Sequence, residues 1–258
     1  MSVNNLEKVG LIKRPQIEQA MAWLIEHGPL VEKPQLPAWM LKQLVRENRI
    51  ARLRRGLYLV PDKAGRMLPV AVVAALLAPS GYVSFYGALT LHGLTDQDAS
   101  VWAVVTDKFQ GDVRYGPFTL QFAVWPRRLR RAKTKKMAVD GVQIRVATPA
   151  QALSDTLEAP RFGAALPELL HVLRVGLSTR RVTVAQLRQR AVELGSVTLA
   201  RRLGLLLELA TGDVDPVLAT LARRSHRWTE GNGRQVRDSQ WRLVLPTSRK
   251  RILTAARE

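Results

Sequence analysis

Residues 48–61 read Asn-Arg-Ile-Ala-Arg-Leu-Arg-Arg-Gly-Leu-Tyr-Leu-Val-Pro. Two apolar runs, Ile50 to Leu53 and Leu57 to Val60, flank Arg54-Arg55-Gly56, and this pattern predicts two short strands joined by a hairpin. Glycine permits the tight turn at the tip, and Pro61 ends the second strand. The hairpin is therefore expected to carry a cluster of arginines.

Two helices are predicted upstream of this hairpin. Apolar residues recur at helical spacing from Pro15 to His27, where Gly28-Pro29 follows. After a proline-interrupted segment, Pro37 is suited to the first position of a second helix that runs to about Asn48. Helix, short connection, helix and hairpin is the order of a winged helix-turn-helix.

In that architecture the second helix of the pair enters the major groove, and the wing contacts the backbone or the minor groove. Arginine and lysine suit phosphate and guanine, and glutamine suits adenine. The DNA-binding candidates are therefore Trp39, Lys42, Gln43 and Arg46 on the helix and Arg52, Arg54 and Arg55 on the wing. Two alternatives stay open: the module mediates protein contacts only, or Trp39 is a core residue.

The remaining chain is expected to add an α+β region and then a helical region. Residues 67–176 contain predicted strands at 101–106, 118–125 and 142–147 and apolar helices at 68–77 and 84–92. From Pro149 onward, helical periodicity dominates up to a Gly- and Arg-rich loop, His226 to Arg237, and a strand at 240–245. The fold class is thus α+β, with a DNA-binding domain at 1–66, a C-terminal domain at 67–258 and a candidate subdivision near 176.

Composition narrows the function classes. The net charge of +19 favours a polyanionic partner, and the absence of cysteine excludes disulfides and thiolate chemistry. The four histidines lack metal-ligand spacing, and no cofactor motif is present. No signal peptide or bilayer-length apolar run is visible, so we expect a cytoplasmic protein without membrane contact.

Two further basic groups stand out. The first is a stretch with seven basic residues in ten, interpreted as a loop that is either simply solvated or a second nucleic-acid patch: Arg127, Arg128, Arg130, Arg131, Lys133, Lys135 and Lys136. The second comprises arginine pairs on the C-terminal helices. Adjacent residues diverge around a helix, so each pair is expected to expose one member. These residues either serve solubility and complement the helix dipole or form a face for an acidic partner: Arg181, Arg201, Arg202 and Arg224.

Four segments together resemble the AbiEi antitoxins of type IV toxin–antitoxin (abortive infection) systems. They are the wing, the stretch Tyr-Val-Ser-Phe-Tyr-Gly-Ala-Leu-Thr-Leu-His-Gly-Leu at 82–94, the stretch Val-Ala-Thr-Pro-Ala-Gln-Ala-Leu-Ser-Asp at 146–155, and a C-terminal pair of Arg-Leu-Gly at 202–204 and Trp-Arg-Leu at 241–243. Two departures concern Ala150, which stands where that family often has glutamate, and the prolines at 34 and 37, which crowd the first part of the helix-turn-helix.

The resemblance implies an antitoxin that neutralises a nucleotidyltransferase toxin and represses its own operon by binding inverted repeats in double-stranded DNA. We expect a monomer in solution that binds DNA cooperatively, with a dimer on the inverted repeats as the alternative, and direct toxin contact is left open. The implied DNA-contact residues are Lys42, Gln43, Arg46, Arg52, Arg54 and Arg55.

The sequence leaves two other functions open. One is a winged-helix repressor without a toxin partner. The other is a nucleic-acid-processing enzyme, which would need a metal held by Asp107, Asp112 and Asp140. We favour a protein that is not an enzyme, because no nucleophile or phosphate-loop motif is present and His92 is better explained as a packing residue.

Overall fold

The computed structural model describes residues 4–97, 99–229 and 236–256, and over these residues the fold is α+β. The N-terminal part comprises α1 (Asn4–Glu26), β1 (Leu30–Glu32), α2 (Ala38–Arg46), β2 (Ala51–Arg54) and β3 (Leu57–Leu59). Helix α1 passes through Pro15, where we expected it to begin. One proline removes a single backbone donor, and this helix accommodates that loss.

The three N-terminal strands form an antiparallel sheet in the order β1-β3-β2. Val31 and Tyr58 of this sheet belong to a small core with residues of α1 and α2, such as Leu24 and Leu44. Leu57 and its neighbours Leu53 and Leu59 belong instead to the main core of the molecule. The sheet therefore lies between two cores, which fixes the hairpin relative to the remaining chain.

A six-stranded mixed sheet forms the centre of the molecule, in the order β6-β7-β5-β4-β9-β8. Neighbours β4 and β9 are parallel, as are β5 and β7, and the other pairs are antiparallel. Helices α3 (Val70–Leu77), α4 (Phe85–Leu91) and α5 (Pro126–Arg130) accompany it. The strands are β4 (Tyr82–Ser84), β5 (Val101–Thr106), β6 (Val113–Tyr115), β7 (Phe118–Val124), β8 (Thr134–Val139) and β9 (Val142–Ala147).

The C-terminal part is largely helical, as predicted. Polar caps set several of its helix starts: the Thr148, Ser196 and Asp215 side chains each accept a bond from a backbone N–H in the first turn. The elements are α6 (Pro149–Glu158), a 3-10 turn (Pro160–Phe162), α7 (Leu166–Ser178), α8 (Val184–Leu194), α9 (Val197–Thr211), α10 (Pro216–Ala222), β10 (Val236–Asp238), β11 (Leu243–Leu245) and α11 (Arg249–Ala255).

Two features of the packing bear on the predicted domain boundaries at positions 66 and 176. The main core contains residues from both sides of position 66, and position 176 lies inside α7, where Gly176 is buried. Part of the predicted Gly- and Arg-rich loop, residues 230–235, lies outside the described residues. The domain boundaries stay a prediction.

Candidate nucleic-acid interface

Helix α2 presents one apolar and one polar face. Met40, Leu41 and Leu44 are buried, whereas Lys42 and Arg46 are exposed. Because residues four apart share a helix face, Lys42 and Arg46 lie side by side on the outer surface. After the helix, Asn48 adopts a φ of +55°, a left-handed conformation that asparagine tolerates and that turns the chain toward β2.

The other two helix candidates behave differently. Trp39 is 39% exposed, so the core alternative that we considered for it does not hold. Gln43 is half-buried, and its Nε2 donates to Oε1 of Glu47 at 2.9 Å. This bond uses one of the two N–H groups of the amide and does not involve the amide oxygen.

The hairpin carries its arginines outward. Leu53 is buried in β2, whereas Arg52 and Arg54 on either side of it are exposed, as strand alternation requires. Arg55 is exposed in the turn, where Gly56 adopts a φ of +76° that glycine readily permits. The turn is thus formed by Arg55 and Gly56, with Arg54 still in the strand.

A further cation beside the wing was not predicted from the sequence. Lys33 follows β1, and its backbone N–H donates to the carbonyl oxygen of Gly56 at 2.6 Å. Lys33 is exposed, and a Cβ placed on Gly56 would lie 3.3 Å from its Cγ. The pairing of β1 with β3 brings it there, and that strand was missed because it has only three residues and lies among prolines.

These cations form what we call the cationic row: Lys33, Lys42, Arg46, Arg52, Arg54 and Arg55. Within the described ranges, no ion pair involves any member. Nearby Arg49 is different, because it binds Glu18 with bonds of 2.7 and 2.8 Å and lowers the pKa of that carboxyl. Arg49 fastens α1 to the start of the hairpin, while the cationic row remains available.

The basic run at 127–136 is not a loop, and this prediction was wrong. Helix α5 occupies its first half and β8 begins at Thr134. Arg128 is 8% exposed, with Nε 3.3 Å from Oδ1 of Asp155 and Nη2 paired with Glu158. It therefore cannot contact a duplex.

The other basic residues of this run remain at the surface. Lys133 lies 3.9 Å from Glu193, and Arg131 donates weakly to the Glu193 carbonyl. The remaining members of the predicted patch are exposed: Arg127, Arg130, Lys135 and Lys136.

Asp155 lies at the centre of a buried polar cluster that adjoins Arg128. It accepts bonds from the hydroxyls of Tyr82 at 3.1 Å and Ser84 at 2.7 Å, and from Nε2 of Gln151 at 2.7 Å. Burial raises the pKa of Asp155 and lowers the pKa of Arg128 beside it. Asp155, which ends the 146–155 stretch described above, thus joins β4, α5 and α6 from a buried position.

The predicted partner face is also corrected. Arg201 is 1% exposed, and its guanidinium donates to the carbonyls of Ala222, Ser225 and Arg227. Arg202 donates to the carbonyl of Leu157. Both are structural because the carbonyls at the ends of α10 and α6 need donors.

Arg181 and Arg224 differ from the buried pair. Arg181 is exposed but donates to the carbonyls of His92 and Gly93 at the end of α4. Arg224 is exposed just after α10. The exposed position of Arg224 therefore agrees with the predicted partner face.

The aspartates of the enzyme alternative are not gathered into a metal site. Asp107 accepts from Ser80 at 2.8 Å, Asp112 accepts from Gln121 at 2.9 Å, and Asp140 lies 3.8 Å from Arg66. Across residues 4–97, 99–229 and 236–256, no group of three or more acidic or histidine side chains is arranged to hold a metal. His92 bonds through Nε2 to the carbonyl oxygen of Ala147 at 2.7 Å.

Comparisons with known proteins give a fold relative and no family. No protein-family model matches the chain, and no curated protein matches it. Among solved structures, the chain is similar to the RV2827C protein from Mycobacterium tuberculosis. The TM-score is 0.55 at 12% identity, over 92% of this chain and 94% of that one, so the likeness concerns the fold over nearly the whole length. In the described part of the chain, no helix combines the length and apolar character needed to cross a bilayer.

Proposed function

We propose that this chain is a DNA-binding antitoxin, whose N-terminal part is a winged helix-turn-helix that represses its own operon. The cationic row carries the proposal. Five exposed cations lie on α2 and the β2–β3 hairpin, and Lys33 lies beside the turn; none of the six has an ion partner in the described chain, so all are available to phosphate groups.

The helix supplies base contacts and the hairpin supplies phosphate contacts in this proposal. The exposed face of α2 carries Lys42 and Arg46, and an α-helix of this kind fits the major groove. Arg52, Arg54 and Arg55 then reach the neighbouring backbone, with Lys33 beside the turn. Phosphate contacts set affinity and register, while base contacts set sequence preference.

The connection before α2 gives this helix-turn-helix an unusual first half. Between β1 and α2 the chain forms bends rather than a helix, with Pro34 and Pro37 in this segment. The carbonyl of Pro37 accepts bonds from the N–H groups of Met40 and Leu41, so the short connection leads directly into α2. The proposed motif therefore rests on α1, α2 and the hairpin.

DNA binding is tested with the full chain and a labelled duplex from the region upstream of its own gene, against an unrelated duplex. Arg46→Ala is expected to reduce the preference for the upstream duplex by about 1–3 kcal/mol while leaving most non-specific binding. Lys250→Ala, which removes one exposed charge from α11, is the matched control. Equal binding of wild-type protein to both duplexes would contradict the repressor.

The antitoxin part of the proposal rests on the resemblance to AbiEi antitoxins. Its test is co-expression of the full chain with the product of the neighbouring gene. Growth rescue from a nucleotidyltransferase toxin supports the antitoxin, and rescue should survive Arg54→Ala with Arg55→Ala. Sequence-specific DNA binding without any rescue would instead identify a repressor that lacks a toxin partner.

A further inference from the structure

A cavity of about 1120 Å³ opens along α5 and is not used by the proposed DNA interface. Four arginines line it, at positions 127, 128, 130 and 131, together with Trp125 and a single acidic residue, Glu158. Four positive charges against one negative charge leave the lining with a formal charge of +3. The cavity is therefore suited to an anion.

Arg128 gives this cavity a fixed, recessed cation. Its side chain is 8% exposed, held by Asp155 and Glu158, and its guanidinium carbon lies 5.3 Å from the centre of the Trp125 ring. Its buried Nη1 nevertheless has no hydrogen-bond acceptor within the described ranges. Because that atom has almost no accessible surface, Arg128 acts on an anion in the cavity as a nearby fixed positive charge, and the direct bonds come from the exposed Arg127, Arg130 and Arg131.

A second buried arginine supports the end of α5. Arg190 is 3% exposed, and it pairs with Glu193 and donates from Nη2 to the carbonyl oxygen of Arg131 at 2.6 Å. That bond holds the backbone in place where α5 ends, so the arginines that line the cavity lie on a fixed turn and not on a free loop. A pre-organised site of this kind loses less conformational entropy when a ligand binds.

We propose that this cavity binds the diphosphate or triphosphate group of a small molecule. The charge of such a group matches the +3 lining, and planar guanidinium groups suit phosphate oxygens. A duplex is a poorer occupant because a stiff double helix cannot enter a recess of this size, whereas a small anion can. The ligand class is thus a polyphosphate-bearing metabolite, with inorganic pyrophosphate and nucleoside triphosphates as the probes.

Isothermal titration of the full chain in about 0.15 M salt, where screening extends over about 8 Å, tests the proposal. Pyrophosphate and ATP are expected to bind with one equivalent per chain, and adenosine is not. Arg127→Ala with Arg131→Ala should weaken binding at least about tenfold, because two charge-assisted contacts are lost. The matched control, Lys135→Ala with Lys136→Ala, removes the same charge from exposed positions outside the cavity lining and should change the dissociation constant less than about twofold.

The outcomes separate the alternatives. ATP binding without pyrophosphate binding would mean that the site recognises the whole nucleotide. Pyrophosphate binding with an affinity comparable to that of ATP would mean that it recognises the phosphates. Either result supports the site if the Arg127→Ala, Arg131→Ala variant loses the binding. Binding of adenosine as tight as ATP, an equal loss in the control, or no binding of any probe would overturn the proposal. So would a single-stranded oligonucleotide that binds through these arginines when pyrophosphate and ATP do not.

Discussion

Replacing the two wing-tip arginines, Arg54→Ala with Arg55→Ala, gives a quantitative test of the DNA interface. Both side chains are exposed and have no ion pair in the described residues, so their removal leaves the fold intact. If each neutralises one phosphate, the slope of log affinity against log salt concentration becomes shallower by about 1.8, since each phosphate contributes about 0.9.

This change in slope predicts differences in affinity that a binding titration can measure. At 0.1 M salt the double variant is expected to bind about 60-fold more weakly than the wild type. Between 0.05 and 0.2 M salt, the wild type should lose about 12-fold more affinity than the variant. The assay is fluorescence anisotropy of a labelled duplex at four or more salt concentrations, with thermal unfolding as a check on the fold.

The matched control is Arg223→Ala with Arg224→Ala. It lowers the net charge from +19 to +17, as the wing variant does, but at exposed positions beyond α10. If both double variants change the slope equally, binding is a property of overall charge. If the wing variant leaves the slope unchanged, the hairpin does not contact phosphate.

Three further predictions concern stability. Arg201→Ala should lower the free energy of unfolding in urea by about 3–5 kcal/mol because buried carbonyls lose their donor, and Arg201→Lys should recover part of it. Gly204→Ala should destabilise by about 1–3 kcal/mol despite a better helix propensity, because its Cβ would lie 2.1 Å from the buried ring of Trp241; Gly111→Ala, with open space around it, should be near neutral. Burial lowers the pKa of His92 in the folded protein, so the unfolded chain takes up a proton at this residue first as the pH falls. The difference in unfolding free energy between wild type and His92→Gln should therefore shrink as the pH falls below about 6.5.

Each stability prediction has an outcome that contradicts it. An Arg201→Ala protein within about 1 kcal/mol of wild type would mean that water reaches the carbonyls. A stabilised Gly204→Ala protein would mean that the indole moves aside. An advantage of wild type over His92→Gln that grows from pH 7.5 to 5.5 would mean that the folded state protonates the imidazole more readily.

Much of the secondary structure was accessible from local sequence. The strands at 101–106 and 142–147 were predicted at their observed bounds, and the largely helical character of the chain after Pro149 was predicted as well. Strand alternation also predicted that Arg52 and Arg54 face away from Leu53. These features depend on residues within one or two turns of each other, which is the range over which periodicity carries information.

The sequence by itself determined the α+β class, the basic hairpin and the exposed face of α2, because each follows from short-range apolar spacing. Only the tertiary structure decided which cations remain available. Arg128 and Arg201 look like surface residues in sequence, but the first meets Asp155 27 positions away and the second meets carbonyls more than 20 positions away. Lys33 joins the wing through pairing of a three-residue strand with β3. A charged side chain is buried or free according to the partners that distant segments bring to it, and local spacing carries no record of those partners.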